Sequence, residues 1–257
     1  MKKIFNIIFT TLLIYFSFYY ANLVSNYVKN KDPIMIKLKE VKDNYQKEAV
    51  DAVIANNTII PGISGLEVDV DESYLKMKKV GNFQESLLVF KKVDSNISLK
   101  NNFDKLIISG NINKNNVSVL LKIDNLEIIE ALKKEDYFPS LNFIFNKDFL
   151  IQEENTLKEL ENNIVVLEDQ VFDSSLIDYC YTTKEFKNIC QEYLKYTFKV
   201  EMITHDYYYN TYQVIKNGSI IAFQIINEKN INDLDILIRG IKNLGFKIVS
   251  LDELIKE

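Results

Sequence analysis

The stretch NGSIIAFQIINEKN, residues 217–230, decides the fold. Gly218 leads an apolar run from Ser219 to Ile226, and this run ends abruptly in polar residues. A continuous apolar run of this length predicts a strand that is covered on both faces. In open α/β folds, chemistry usually takes place at the carboxyl ends of such strands. The end of this strand is therefore the first candidate position for a functional site.

The residues after this strand predict a helix and a returning strand. Apolar residues recur at spacings of three and four, and Gly245 follows them as a helix-terminating glycine. The segment FKIVSL, residues 246–251, is the returning strand. The apolar positions of the helix are Ile231, Leu234, Leu237, Ile238, Ile241 and Leu244.

Strands and helices alternate in this way from about residue 105 onward. The residues around the two cysteines indicate a loop with a short helix instead. The alternation predicts a mostly parallel α/β domain over residues 105–257. Strands are predicted at residues 105–110, 116–123, 139–146, 162–169, 198–204 and 218–225, and helices at residues 124–136 and 151–161.

Residues 30–100 show a different pattern, which predicts a small α+β module. The segment DPIMIKLKEV, residues 32–41, alternates between apolar and polar residues as half-buried strands do. The segment DESYLKMKKVG, residues 71–81, predicts a short helix that ends at Gly81. Further strand-like runs separated by glycine and proline complete the module.

The chain begins with a segment that is apolar enough to cross a membrane. Residues 4–24 are apolar and free of charge, and Lys2 and Lys3 precede them. About twenty helical residues span about 30 Å, the thickness of one bilayer core. We assign residues 1–28 to an uncleaved signal-anchor.

Two alternatives to the anchor are a cleavable signal peptide and a buried core helix. A cleavage site after Ala21 would place Tyr19 at a position that needs a small residue. A core helix does not explain a terminal, charge-free run with flanking lysines. Lys2 and Lys3 are expected to remain on the cytoplasmic side of the membrane. The bulk of the chain then lies outside the cytoplasm.

The composition limits the chemistry and the partners. A net charge of −5 argues against nucleic acid as a partner. His205 is the only histidine, whereas zinc sites usually use several His or Cys ligands. The acidic residues of the module lack the spacing of a calcium loop, so we interpret them as the solvated face of a strand. The residues themselves therefore predict no metal and no cofactor. These acidic residues are Glu67, Asp69, Asp71 and Glu72.

The tail of the chain resembles the end of the polysaccharide deacetylase (NodB-homology) family. That family closes with a Gly-Ser-Ile-Ile strand, a helix ending near Lys-x-x-Gly and a Val-x-Leu-x-Glu-Leu finish. Residues 218–221, 242–245 and 249–254 reproduce this pattern in order. The resemblance covers about residues 105–257 and implies a deformed (β/α) barrel. It also implies a metal-dependent hydrolase that removes acetyl groups from cell-envelope sugars, with an Asp-His-His metal site.

The catalytic motifs of that family are altered here. In LLKIDNLE the resemblance places Asp124 on the catalytic-base aspartate and Asn125 on the metal aspartate. The segment NNIVVLEDQVFD has no histidine where the family has its metal-ligand pair. Gln224 and Ile225 stand where the terminal strand of the family supplies His-Asp. Metal-dependent catalysis is therefore not expected.

A rebuilt site is the alternative. His205 and Asp206 follow a predicted strand, and together with Asp124 they are weak candidates for catalytic residues. The competing interpretations are a loop histidine for His205 and a helix N-cap for Asp124, with Glu127 three residues later. Three consecutive tyrosines, residues 207–209, would line a sugar groove.

These observations lead to one leading hypothesis. The chain is expected to be a single-pass membrane protein with a deacetylase-like domain outside the cytoplasm, anchored through residues 4–24. It is expected to bind envelope polysaccharide or an envelope protein, and to lack metal-dependent catalysis. The alternatives are an active carbohydrate esterase with a rebuilt site and a purely structural scaffold.

The cysteines give a prediction that can be tested on the denatured protein. Cys180 and Cys190 are ten residues apart, and an oxidising compartment would let them form a disulfide. Closing so short a loop stabilises the fold by about 2–3 kcal/mol. We expect no free thiol in a thiol titration of the unreduced, denatured protein. Two free thiols would mean two unrelated buried cysteines.

Overall fold

The computed structural model describes residues 2–200, 203–204, 215–227 and 229–257. The helices are α1 Lys2–Lys31, α2 Pro33–Val41, α3 Val70–Val80, α4 Leu126–Leu132, α5 Lys147–Gln152, α6 Glu154–Leu157, α7 Lys229–Asn243 and α8 Leu251–Ile255. The strands are β1 Val53–Ala55, β2 Thr58–Ile60, β3 Gly65–Val68, β4 Phe90–Val93, β5 Leu106–Ile107, β6 Asn116–Lys122, β7 Leu141–Ile144, β8 Ile164–Leu167, β9 Tyr179–Thr182, β10 Tyr196–Lys199, β11 Ile203–Thr204, β12 Ile220–Gln224 and β13 Lys247–Ile248.

The chain forms two compact units. The first contains Met1–Ala49 and Gly65–Val93, and the second contains Val50–Ser64 and Asp94–Glu257. The second unit thus includes β1 and β2, which the sequence pattern assigned to the module. The predicted domain bounds, 30–100 and 105–257, stay a prediction.

In the first unit, α1 is long and apolar enough to cross a membrane, judged by length and composition over Ile8–Lys31. None of the apolar window within that range is buried. Its last turn carries Lys29, which pairs with Asp71 at 2.6 Å. The rest of the unit consists of α2, α3 and the antiparallel pair of β3 and β4.

The predicted strand at residues 32–41 is wrong, because these residues form α2. The Asp32 side chain caps the helix by accepting a hydrogen bond from the backbone N–H of Ile34 at 2.9 Å. Ile34 and Leu38 are buried, whereas Ile36 is 45% exposed. Positions four residues apart share a helix face as well as a strand face, so the alternation could not separate the two structures.

The predicted helix that ends at Gly81 is confirmed as α3. Gly81 adopts a left-handed conformation with φ of 85°, as a helix-terminating glycine does. Asp69 caps the start of α3 by accepting the backbone N–H of Glu72 at 2.9 Å. The prediction that Asp69 lies on the solvated face of a strand is therefore wrong, because Asp69 follows β3 and caps α3.

The second unit is built on one sheet, to which eleven strands of the described residues belong. Its order is β1-β2-β5-β10-β9-β8-β7-β6-β12-β11, and β13 pairs with the beginning of β6. All pairs are parallel except β1 with β2. The sheet curls, and helices follow several of its strands, so the predicted deformed (β/α) barrel is confirmed.

Alternation along the strands divides the core into two layers. On β6, Val119 and Leu121 pack with α7 in the outer layer, whereas Leu120 points into the barrel. The interior layer also contains Phe198 of β10. Residues Leu251, Leu254 and Ile255 of α8 fill the same interior. Both faces of the central strands are therefore covered, as their continuous apolar runs predict.

Gly218, at the start of the opening stretch, is required by the backbone geometry. Its φ of 81° lies in the left-handed region, which side chains rarely adopt. A Cβ there would lie 2.3 Å from the carbonyl oxygen of Gly110. Instead, the Gly218 oxygen accepts the Gly110 N–H, and its own N–H bonds Asn116 O, both at 2.8 Å. The glycine thus allows β12 to enter the sheet directly beside β6.

The segment around the cysteines differs from its prediction. Cys180 lies on β9, a central strand that sequence reasoning missed, while Cys190 lies on a short 3-10 helix. The predicted disulfide between Cys180 and Cys190 is present, and both residues are fully buried. The sequence did not predict this strand because polar residues follow directly after β9.

The remaining helices follow the prediction with shifted bounds. Residues 151–161 were expected to form one helix, but they contain the end of α5 and the short α6. The last helix is confirmed as α7, and Gly245 terminates it with φ of 86°. Leu234, Leu237, Ile238 and Ile241 of its predicted stripe are buried.

A fully buried asparagine, Asn142 on β7, joins three segments of the barrel. Its amide donates to the Ser118 hydroxyl at 2.9 Å and to Val119 O at 3.0 Å. Its oxygen accepts the side-chain amide of Asn163 at 3.0 Å and the backbone N–H of Leu251 at 2.9 Å. Because all four hydrogen bonds are made, the polar group is satisfied in the core.

Replacing Asn142 with leucine is expected to destabilise the protein by about 2–4 kcal/mol. The variant keeps a side chain of similar size but leaves the Leu251 N–H and the Asn163 amide without their acceptor. Urea denaturation measures the loss. Asn101→Leu, at an exposed position, is the matched control and is expected to change stability by less than about 0.5 kcal/mol. Equal stability of the two variants would contradict the role of Asn142.

Candidate functional site

The carboxyl ends of the parallel strands form the mouth of the barrel. On β6 the even-numbered residues Ser118 and Leu120 face the interior, so Lys122 is the next inward position. Gln224, at the end of β12, pairs with Lys122 in the sheet register. Both side chains are partly exposed. The strand β12, which belongs to the stretch 217–230, therefore ends with the amide of Gln224 beside the ammonium group of Lys122.

Asp124 follows β6 at the rim of this mouth. Its carboxylate accepts the backbone N–H of Asn146 at 3.2 Å and also bonds the Asn146 side-chain amide. The prediction that Asp124 caps the following helix is wrong. Asn125 caps α4, because its side-chain oxygen accepts the N–H groups of Glu127 at 2.8 Å and Ile128 at 3.2 Å. Asp124 thus joins the ends of β6 and β7.

An open depression of about 480 Å³ adjoins Asp124 and Asn146. Phe149 lies half-buried in its wall, and the Lys147 ammonium lies 5.3 Å from the centre of the Phe172 ring. The remaining wall carries polar side chains. The lining residues are Asp124, Asn146, Lys147, Asp148, Phe149, Gln152 and Gln170.

Glu168, directly after β8, is a buried carboxylate that sequence reasoning missed. It is 3% exposed, and its two oxygens accept the backbone N–H groups of Lys187 at 3.2 Å and Ile189 at 2.8 Å. These two residues belong to the loop that the disulfide closes at Cys190. Glu168 therefore holds this loop beside the mouth. An acidic residue directly after a buried strand was the signal in the sequence.

Tyr181 of β9 contributes a buried hydroxyl to the interior. The side chain is 4% exposed and packs in the interior layer. Burial, together with the smaller effect of the negative charges of Asp169 and Asp124, raises the pKa of Tyr181 to about 12. The hydroxyl therefore stays protonated at neutral pH. Within the described residues it makes no hydrogen bond.

Two of the predicted candidates, His205 and Asp206, lie outside the described residues, as do the tyrosines 207–209. The structure places Asp124 at the mouth and links it to Asn146. The assembly of Asp124 with His205 and Asp206 into a rebuilt site stays a prediction.

The described residues do not fit the metal site that the resemblance implies. The side-chain oxygen of Asn125, at the position of the metal aspartate, is engaged in capping α4. The oxygens of Glu168, at the strand end where the histidine pair would follow, are bound to backbone N–H groups. Across the described part of the chain, no three His, Cys, Asp or Glu side chains form a cluster that would hold a metal ion.

Comparison with solved structures identifies the fold. The wild-type BA3943 protein, a CE4 family pseudoenzyme from Bacillus anthracis, superposes with a TM-score of 0.60 at 19% identity, over 88% of this chain and 96% of that chain. A BA3943 mutant described as having restored enzymatic activity gives 0.58 at 19% identity, over 87% and 98%. At this identity the similarity shows the fold, and the fold implied by the polysaccharide deacetylase resemblance is confirmed.

Comparisons by sequence give a shorter match. The uncharacterized protein YlxY of Bacillus subtilis (strain 168) is 33% identical over 95 residues, which is 37% of this chain and 30% of that protein. The chain therefore matches less than a third of the length of this relative. No family model matches the chain.

Removing the Glu168 carboxylate is expected to release the loop at the mouth. Glu168→Ala leaves two backbone N–H groups without their charged acceptor, which costs about 2–4 kcal/mol. Amide hydrogen exchange at Lys187 and Ile189 is expected to speed up together with this loss. The control is Glu185→Ala, an exposed position in the same loop, which should leave both amides protected. Unchanged exchange at Lys187 and Ile189 in Glu168→Ala would rule out the anchoring role.

Proposed function

We propose that this chain is a divergent, deacetylase-like protein of the CE4 fold that binds cell-envelope glycan at the mouth of its barrel. In this proposal it does not catalyse metal-dependent deacetylation. The N-terminal helix α1 anchors it in the cell membrane as a single-pass protein. The barrel lies outside the cytoplasm, where a disulfide between Cys180 and Cys190 persists.

One observation carries the binding proposal, namely the open polar depression beside Asp124. Its amide, carboxylate and ammonium groups offer the donors and acceptors that sugar hydroxyls need, and Phe149 offers an apolar ring. The depression lies at the carboxyl ends of parallel strands, where α/β folds bind their ligands. An open surface suits a long polymer better than a small enclosed molecule.

Two side chains that already accept hydrogen bonds from the backbone support the proposal that the chain does not catalyse metal-dependent deacetylation. Asn125 and Glu168 stand at the strand ends where the resemblance expects metal ligands, and both bind backbone N–H groups instead. BA3943, which shares the fold, is itself described as a pseudoenzyme. We extend that description to this chain as part of the proposal.

The domain assignment belongs to the same proposal. Residues 1–28 form the anchor, residues 30–100 the membrane-proximal module and residues 105–257 the glycan-binding domain. An envelope protein that binds the module is the other partner class in keeping with a structural role.

The test measures binding and acetate release on the full chain in lipid nanodiscs. We expect chitotetraose or peptidoglycan fragments to bind in calorimetry, and no acetate release with or without added zinc. Gln170→Ala removes a side chain of the depression and is expected to weaken binding about two- to tenfold. Gln84→Ala, outside the barrel, is the matched control and should bind like the wild type.

The other outcomes separate the alternatives. Zinc-dependent acetate release would sink the proposal and favour an active esterase, whose rebuilt site would use Asp124, His205 and Asp206. A protein partner that binds the module, together with no glycan binding, would favour the scaffold.

A further inference from the structure

The first unit contains a cleft of about 520 Å³ beside the end of α1. Its walls come from the last turns of α1, from α2 and the turn after it, from β3 with the start of α3, and from β4. The buried side chains of Met35 and Val68 form its apolar part. We call this space, which Asn26, Met35, Lys42 and Lys91 help to line, the juxtamembrane cleft. The proposed glycan binding makes no use of it.

The position of the cleft along α1 matches the headgroup layer of a bilayer. The apolar, charge-free part of α1 ends at Val24, and the cleft residues Asn26, Lys29 and Asn30 follow it. At about 1.5 Å per helical residue, these three lie roughly 3–9 Å beyond the apolar part. The polar layer on each side of a bilayer core is about 5–8 Å thick. With α1 spanning the membrane as proposed, the cleft therefore lies at the depth of the lipid headgroups.

The cleft carries more positive than negative charge. Four lysines and three carboxylates line it. Lys29 pairs with Asp71 at 2.6 Å, and Lys91 pairs with Glu67 at 2.7 Å. The third carboxylate, that of Asp69, caps α3 by accepting a backbone N–H group. The three carboxylates are thus engaged by partners within the unit, and the other two lysines are left without a carboxylate in contact.

These two lysines, Lys39 and Lys42, belong to one wall of the cleft. They are three residues apart at the end of α2, a spacing that places side chains on the same side of a helix. The Lys39 ammonium donates to the neutral side-chain oxygen of Asn30 at 2.6 Å. Lys42 is exposed and forms no hydrogen bond or ion pair with any residue in the described ranges. Both ammonium groups can therefore take an anionic partner.

The electrostatics of Asp71 confirm that the lysine charges converge on the cleft. The hydrogen bond from Lys29 lowers the pKa of Asp71 below its ordinary value, and the charges of Lys39 and Lys91 act in the same direction. Three ammonium groups from α1, α2 and β4 thus act on one carboxylate. A single carboxylate at this point balances only one of them.

Two amides and an apolar surface complete the chemistry of the cleft. Asn26 and Gln46 line it, and within the described part of the chain their side-chain amides form no hydrogen bond. An amide both donates and accepts, so it suits the hydroxyl groups of a ligand. On the membrane side of the cleft, none of the apolar window of α1 is buried. A ligand with an anionic group, hydroxyl groups and apolar chains would satisfy all three features.

We propose that the juxtamembrane cleft binds the headgroup of an anionic phospholipid, with the phosphate on the ammonium groups of Lys39 and Lys42. The headgroup hydroxyls bond the amides of Asn26 and Gln46, and the acyl chains lie along α1. Hydrogen bonds between an ammonium and a phosphate are charge-assisted and therefore strong. Phosphatidylglycerol has this chemistry, with one negative charge and two hydroxyl groups. The inference goes beyond glycan binding and rests on the proposed membrane anchor.

The experiment measures lipid binding to the full chain in neutral detergent micelles by thermophoresis. We expect dioleoyl phosphatidylglycerol to bind at least about tenfold more tightly than dioleoyl phosphatidylcholine, with an affinity that falls as salt rises. Lys42→Gln should weaken the binding of phosphatidylglycerol about tenfold, and Lys42→Arg should retain it. The matched control is Lys37→Gln. It removes an exposed lysine of the same helix that pairs with Glu40 outside the cleft, and it should bind like the wild type.

The other outcomes separate the lipid from a soluble ligand and from the anchor. Glycerol 1-phosphate offers a phosphate and hydroxyl groups without acyl chains, and equal affinity for it would overturn the assignment to a lipid. Equal affinity for the two phospholipids, or an unchanged preference in Lys42→Gln, would overturn the role of the cleft and leave the anchor and glycan binding standing. Release of the wild-type chain from phosphatidylcholine vesicles by an alkaline wash would instead overturn the anchor itself.

Discussion

The buried side chain of Asn142 is the constraint on which the barrel depends. Four hydrogen bonds, all shorter than 3.1 Å, tie it to β6, to Asn163 directly before β8 and to Leu251, the first residue of α8. The Ser118 hydroxyl extends the network to Val249 O at 2.9 Å. A polar group inside an apolar core tolerates only the arrangement that satisfies it. This network therefore fixes the register of the central strands and the position of α8, whose apolar residues close the interior.

The stabilising Asn142 network and the candidate site thus lie at opposite ends of the same strands. The Asn142 network lies toward the amino ends of β6, β7 and β8, whereas the candidate site lies at their carboxyl ends. The network fixes the register of the strands near their amino ends, so the side chains at their carboxyl ends also have fixed neighbours. Lys122, for example, lies beside Gln224 and Ile144. A fold of this kind can lose a catalytic activity and still keep its structure.

The sequence predicts the barrel well and the site poorly, for physical reasons. Most strands that are covered on both faces appear as apolar runs, and α7 has an apolar stripe that ends in a glycine, so these elements were found. The buried strand β9 was missed because polar residues follow it closely. The prediction of a strand at residues 32–41 was wrong, because residues four positions apart share a face in helices and in strands alike. Asp124 and Asn125 are adjacent, and only the backbone geometry decides which of them caps α4. The position of Glu168 directly after a buried strand marked it as unusual, but its role was missed because its partners are backbone N–H groups about twenty residues away.

Asn125 shows how the mouth can lack a metal ligand at no cost to the fold. Asparagine and aspartate cap helices about equally well, since each offers an oxygen to the first free N–H groups. An asparagine at this position therefore holds α4 as firmly as the aspartate that the resemblance expects, and only the negative charge is missing. Without that charge the mouth attracts a metal cation less strongly. The same residue that secures the helix thus leaves the mouth without one of the charged ligands that the resemblance implies.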